Sequence, residues 1–210
     1  MNKFDQHRTQ MVEDQIRRRG ISDKRVLHAM ITVPRHLFVD RHERQLAYFD
    51  GPLPIGHGQT ISQPYIVAFM TAELQIESHH TVLEIGTGCG YQAAIISMLA
   101  KEVISLEYVA KLAQTARKRL SKLGYNNVKV HNADGMLGWK ENAPYDRIIV
   151  TAAPASIPNK LIEQLAPQGK MMIPVGDSVF NQSLFIITKN KLGKVKIKRS
   201  LPVRFVPMVG

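Results

Sequence analysis

The sequence predicts an α/β protein: a doubly wound, mostly parallel sheet with antiparallel closing strands and an N-terminal helical extension. Three observations predict it. From Thr81 onward, short β-branched runs alternate with amphipathic helical stretches. The first of these runs, Thr81–Ile85, leads into glycines at alternating positions, Gly86, Gly88 and Gly90, and then into the breaker-free helix formers of Tyr91–Ala100. A strand, a glycine turn and a helix N-terminus bring backbone amides up to a ligand. The next strand, Glu102–Glu107, ends on a carboxylate 21 residues after Gly86, a distance suited to hydrogen bonding of two ribose hydroxyls.

The preceding elements read as follows. Met11, Val12, Gln15, Ile16 and Arg19 give an amphipathic helix stopped by Gly20. Ser22 is expected to cap a second helix, Asp23–Ile31, and Pro34 interrupts the pattern before Arg35–Tyr48. This preamble is expected to form a lid or one wall of a substrate site. Residues 50–64 hold three prolines and three glycines, which predicts an ordered irregular loop of functional character. A helix from about Gln63 to Leu74 follows, with Pro64 in its first turn and Ser62 well placed as its N-cap.

After Glu107, Val109–Leu123 has the helical period and Gly124 ends it. Asn127–His131 and Asp146–Thr151 are the third and fourth strands, with Asp134 in the turn between them. Ser156 and Pro158 open a further helix, Lys170–Val175 is the fifth strand, and Ser183–Thr188 with Val195–Arg199 form a closing hairpin. Ligands bind at the carboxyl ends of such strands, where Gly86, Glu107, Asp134 and Thr151 all fall.

Composition bounds the alternatives. The 210 residues suit one domain: 1–76 as helical extension and substrate loop, 77–190 as the binding core, and 191–210 as C-terminal strands. No apolar run reaches the roughly 18 residues of a membrane span, and Met1–Gln15 lacks a secretory core. The single cysteine, Cys89, excludes an internal disulfide and fits the cytoplasm; inside the glycine turn it is read as a small filler rather than a nucleophile. The histidines show no metal-ligand spacing, so no metal is expected. The net charge of +11 gathers at Arg17–Arg19 and along Lys194, Lys196 and Lys198. Neither cluster is interleaved with aromatic residues. The charge is therefore read as surface, and a monomer without nucleic-acid or membrane partners is expected.

The turn departs from the dinucleotide fingerprint, because Tyr91 stands where G-x-G-x-x-G needs its third glycine. Glu84-x-Gly86-x-Gly88-x-Gly90 instead resembles the first motif of Rossmann-like methyltransferases, which bind S-adenosylmethionine. A carboxylate suits a cofactor with an ammonium and a sulfonium but no pyrophosphate. A turn that only packs helix on strand, an RNA-directed methyltransferase, and a binding module without turnover remain as alternatives.

A longer resemblance narrows them. Met11-Val-x-x-Gln15-Ile-x-x-Arg19-Gly-Ile21, Val33-Pro-Arg-His36, Pro52-Leu-Pro-Ile-Gly56 and Gly58-Gln-Thr-Ile-Ser-Gln-Pro64 resemble the protein-L-isoaspartate O-methyltransferases. The resemblance continues through Val82–Tyr91, Thr151-Ala-Ala-Pro154 and Pro174-Val-Gly176 to Val203-Arg-Phe-Val-Pro207. Ala133 before Asp134-Gly135, and Lys170 after Gly169, depart from the family's usual glycines. The resemblance implies a Rossmann-like S-adenosylmethionine-dependent methyltransferase fold. It also implies methyl transfer to the free carboxylate of L-isoaspartyl and D-aspartyl residues in damaged proteins and peptides. Ser62 would be the catalytic positioning donor; Glu84, Gly86, Thr87, Gly88, Gly90, Glu107, Asp134, Gly135 and Thr151 would hold the cofactor. Ile61, Ser62 and Val206 would contact the peptide, with Val203–Pro207 as a strand cradling its backbone.

Overall fold

The computed structural model describes residues 3–178 and 180–209. Seven strands form one sheet in the order β5-β4-β3-β6-β7-β8-β9. They are β3 (Thr81–Ile85), β4 (Glu102–Glu107), β5 (Val128–Asn132), β6 (Tyr145–Val150), β7 (Leu165–Val175), β8 (Gln182–Lys189) and β9 (Val195–Val203). The five strands from β5 to β7 run parallel, whereas β8 and β9 are antiparallel additions. The chain leaves β3 for β4 on one side and reaches β6 on the other, so the reversal of strand order lies beside β3. Such a switch point opens a crevice at the strands' carboxyl ends.

Both faces of the sheet are covered, which explains why the middles of β3, β4 and β6 are largely apolar. Val82, Val103, Ile149 and Met172 pack with Met70 and Leu74 of α3 (Pro64–Leu74) and Ile96 of α4 (Tyr91–Ser97). The alternate residues Leu83, Ile104, Ile148 and Met171 pack on the other face with Leu161 of α6 (Asn159–Gln164). The helix between β4 and β5, α5 (Ala110–Lys122), joins α4 through Ala113 and Leu120. Among the described residues no helix is long and apolar enough to cross a membrane.

The N-terminal segment differs from its expected role. α1 (Lys3–Met11) widens into a π turn, Val12–Ile16, and then tightens into a 3₁₀ turn, Arg17–Arg19, before Gly20 stops it at φ 95°. Its apolar stripe, Met11, Val12 and Ile16, packs with Val67 and Ala68 of α3 and with α4. The segment is therefore an outer layer over these helices. None of its residues before Pro52 lines a cavity at the glycine turn. Arg19 links it to the following loop by pairing with Asp50 at 3.0 Å and lying over the Tyr65 ring at 3.6 Å.

Two capping expectations are corrected. α2 (Lys24–Thr32) is capped by Asp23, whose carboxylate accepts the Arg25 N–H at 2.9 Å, and not by Ser22. In α3 the N-cap position belongs to Gln63, which makes no side-chain cap bond, so Ser62 lies one residue outside the helix.

Residues 50–64 are also more regular than expected. Leu53–Gly56 (β1) and Gln59–Ile61 (β2) form an antiparallel hairpin turning on His57 and Gly58, with φ of 54° and 69°. Two successive positive φ values are the mark of a two-residue hairpin turn whose twist matches its strands. Pro54 is tolerated because a two-stranded ribbon leaves each strand an open edge. At the other end, Val203–Pro207 is not a strand: β9 stops at Val203, and the tail crosses to Ala153, which donates to Val206 O and accepts from Met208 N, both at 2.9 Å.

Asp23→Ala should lower stability by about 1 kcal/mol and the melting temperature by about 2–4 °C. Ser22→Ala should leave both near wild type in the same thermal scans.

Candidate active site

The glycine turn is held from two sides. Gly86 N and Thr87 N both donate to Leu106 O, at 2.8 and 3.1 Å. Thr151 Oγ1 donates to Gly86 O at 2.7 Å and Ile85 O at 3.1 Å. Gly86, Gly88 and Gly90 have φ of 94°, 53° and 90°, values that disfavour any residue with a Cβ. A Cβ on Gly86 would also overlap Thr151 Oγ1.

Glu107 completes the clamp. Its Oε2 accepts Gly88 N at 2.7 Å and its Oε1 accepts Val109 N at 2.9 Å, with 6% of the residue exposed. Each carboxylate oxygen has a second lone pair, so both remain able to accept a ligand hydroxyl.

Three cavities converge here. An open groove of about 600 Å³ runs from Thr60, Ser62 and Thr151 to Phe180, Gln182 and the Pro202–Val206 segment. A slot of about 50 Å³ lies between Gly86, Gly88, Glu107, Gly135 and Thr151, covered by Gln59–Thr60 and the tail Val206–Val209. A third, of about 30 Å³, lies beneath the turn between Ile61, Ser62, Thr87, Cys89 and Gln92. Thr60 and Thr151 line all three, and Ser62 lines the groove and the inner cavity. No lysine or arginine lines the slot. Its charge therefore suits a cationic ligand and not a pyrophosphate.

Most of the predicted residues meet at this junction: Ile61, Ser62, Gly86, Thr87, Gly88, Glu107, Gly135, Thr151 and Val206 line the three cavities. Gly90 stands behind the turn as the left-handed N-cap of α4, close against Leu120. Asp134 caps the short turn that carries Gly135, accepting Met136 N at 2.8 Å, and is not among the lining residues.

Glu84 departs furthest from its expected place. It shares the inward face of β3 with Val82, is fully buried and lines none of the cavities. Ser105 Oγ donates to its Oε2 and also bonds Thr87 Oγ1 at 2.5 Å, which leaves Oε1 without a partner. Burial pushes its carboxyl up to about 8, against the pull of Ser105 and with a smaller push from Glu107. Burial therefore favours its neutral form, and its route to the turn runs through Ser105 and Thr87 rather than through a direct charge pair.

Sequence reasoning missed Thr60 and Gln182. Thr60 follows the hairpin turn, and only a strand reading of 59–61 would have pointed it at the site. Gln182 is buried and binds Phe205 twice, accepting its N–H at 2.6 Å and donating to its carbonyl at 3.1 Å. It thereby fixes the tail beside the groove, through a contact across 23 residues that no local pattern announces.

The Glu84 shift sets a pH dependence. A buried acid with a raised pKa favours the fold below its unfolded value, and that contribution fades as pH rises to the folded one. Stability should therefore fall between about pH 4.5 and 8. Glu84→Gln, which cannot ionise, should flatten this slope in urea titrations at pH 5, 6, 7 and 8. An unchanged slope would assign the dependence elsewhere.

Comparison with known proteins follows the same geometry. The family described as Protein-L-isoaspartate(D-aspartate) O-methyltransferase (PCMT) matches residues 6–210. A protein-L-isoaspartate O-methyltransferase of Synechococcus sp. (strain JA-2-3B'a(2-13)) is 53% identical over 212 residues, covering 98% of this chain and 86% of that protein. A Syntrophobacter fumaroxidans protein-L-isoaspartate O-methyltransferase 1 is 50% identical over 210 residues, covering 100% and 97%. Among solved structures, a Plasmodium falciparum protein assigned as a β-aspartate methyltransferase, in complex with S-adenosyl-L-homocysteine, superposes with a TM-score of 0.83. It is 26% identical and covers 96% of this chain and 98% of its own. With the match running from residue 6 to the C-terminus, the chain belongs to the protein-L-isoaspartate (D-aspartate) O-methyltransferase family.

Proposed function

We propose that this chain transfers the methyl group of S-adenosylmethionine to the free carboxylate of L-isoaspartyl, and of D-aspartyl, residues in damaged proteins and peptides. It would do so as a single monomeric domain in the cytoplasm. The observation that carries the reading is the position of Ser62, whose residue lines both the open groove and the inner cavity at the glycine turn. A peptide in the groove and a cofactor at the turn would meet there.

Gly86–Gly90 would hold the cofactor by backbone approach, Glu107 its ribose hydroxyls, and Gly135 and Thr151 the walls around it. The residues fit on two counts: a Cβ at Gly86 would overlap Thr151 and one at Gly88 would crowd Ile55, and the slot presents a carboxylate with no basic residue. When bound, S-adenosylmethionine supplies an electrophilic methyl on a sulfonium. Glu84 supports the turn from beneath through Ser105 and Thr87, and Asp134 orients Gly135.

The substrate carboxylate needs no general base, since its pKa near about 3.9 leaves it ionised at pH 7. The demand on the protein is placement and exclusion of water. Ser62 Oγ donates to one carboxylate oxygen, and the N-terminus of α3, beginning two residues on at Pro64, favours the anion. Val206 contacts the peptide backbone from the groove wall, whereas Ile61, expected beside it, lines only the inner cavity. An isoaspartyl residue adds a methylene to the main chain and leaves a free α-carboxylate close to it, so a site gripping the backbone discriminates by position rather than by charge.

Two measurements test this. Ser62→Ala should lower kcat on the order of 10- to 100-fold while S-adenosylhomocysteine affinity by calorimetry stays near wild type. Because Ser62 is not the helix cap, its melting temperature should not move; full activity would remove it from the site. Second, a peptide carrying isoaspartate should be methylated at least on the order of 100-fold faster than its aspartate twin. Equal rates, or transfer to RNA with neither peptide modified, would overturn the assignment.

A further inference from the structure

We propose that Arg204 is a specificity residue of the groove, selecting peptides that carry an acidic side chain next to the isoaspartyl residue. The inference deepens the methyl-transfer reading and rests on it.

The groove has two ends. Thr60, Ser62 and Thr151 belong to the junction with the turn, whereas Phe180, Pro202 and Arg204 line the groove alone and mark its outer part. Arg204 is the one ionisable side chain among the lining residues. Among the described residues no carboxylate pairs with it, and its guanidinium lies over the Phe180 ring at 5.4 Å from the centroid. Other arginines of this chain are paired: Arg17 with Glu13, Arg18 with Asp14 and Arg19 with Asp50. The groove thus keeps a cation whose contact is an aromatic ring and not a counterion.

The ring contact matters for what this cation can do. A guanidinium within about 6 Å of an aromatic face is attracted to it, and Phe180 remains 82% exposed, so the pair stays open to solvent. Resting on the ring limits the long side chain's freedom, which reduces the entropy lost when a carboxylate docks. The isoaspartyl carboxylate is not that partner, because it is committed to the inner end at Ser62. The complement is a second carboxylate, on a residue flanking the isoaspartate, and glutamate or aspartate offers the planar acceptor an arginine takes in two hydrogen bonds. A solvent-exposed pair of this kind is screened, which sets the scale at about two- to fivefold in kcat/KM.

The test uses the full chain with S-adenosylmethionine and isoaspartyl peptides that differ only by Glu or Gln at a flanking position, each side in turn. In the wild-type enzyme the Glu peptide should be favoured about two- to fivefold on one side, through KM and not kcat, and the preference should shrink with added salt. Arg204→Gln should equalise the two peptides, and Arg204→Lys should retain part of the preference. Isoaspartyl peptides methylated equally well by the wild type, or a preference that survives in Arg204→Gln, would overturn this proposal and leave the methyl-transfer assignment standing. Failure to methylate any isoaspartyl peptide would overturn both.

Discussion

The site depends on the clamp that holds the glycine turn between the ends of β4 and β6. Leu106 O takes two amides of the turn, Glu107 takes a third, and Thr151 Oγ1 closes the other side on two carbonyls. A run of glycines has more backbone freedom than other residues and loses more of it on ordering. Five hydrogen bonds from two neighbouring strands offset that loss and leave the turn's open face without side chains. The parallel register of β3 with both neighbours brings these donors and acceptors level.

A buried polar column stands directly behind the clamp. Thr87, Ser105 and Glu84 connect the turn to the middle of β3 on the face otherwise filled by Val82, Val103 and Ile149. Placing an acid in that layer is unfavourable unless it is neutral or bonded. Burial favours the neutral form of Glu84, and Ser105 bonds one of its oxygens. The column thus gives the turn a polar anchor without putting a second negative charge beside Glu107.

The groove is assembled from segments far apart in the chain: the hairpin before α3, the end of β6, and the tail after β9. Two devices hold the outer pieces. Arg19 ties the residues flanking the hairpin, Asp50 before it and Tyr65 in α3, to the N-terminal layer, and Gln182 holds the tail at Phe205. Both are side-chain contacts on the margin of the site, one from the N-terminal layer and one from β8. The expectation that the N-terminal preamble forms a lid or wall of the substrate site does not hold: its residues pack over α3 and α4, and none of them lines the groove.

Read alone, the sequence located the strands β3 to β9, with β7 and β9 shorter than they are, the helices between them, the turn at Gly86–Gly90 and Glu107 at the end of the neighbouring strand. These are local signals: β-branched runs, breaker-free helical periods, and glycines where a backbone must turn sharply against a ligand. The long resemblance added Ser62 and the chemistry it serves. Only the tertiary structure decided which capping residue is used, because Ser22 and Asp23 are equally suitable by type and the actual cap depends on where the chain enters α2. It also decided that a stretch rich in proline and glycine is a hairpin, since propensity penalises those residues and only the pairing of Leu53 with Ile61 offsets it. The same holds for Glu84: its position before the turn is plain in the sequence, but its protonation is a consequence of burial, and burial belongs to the packed fold.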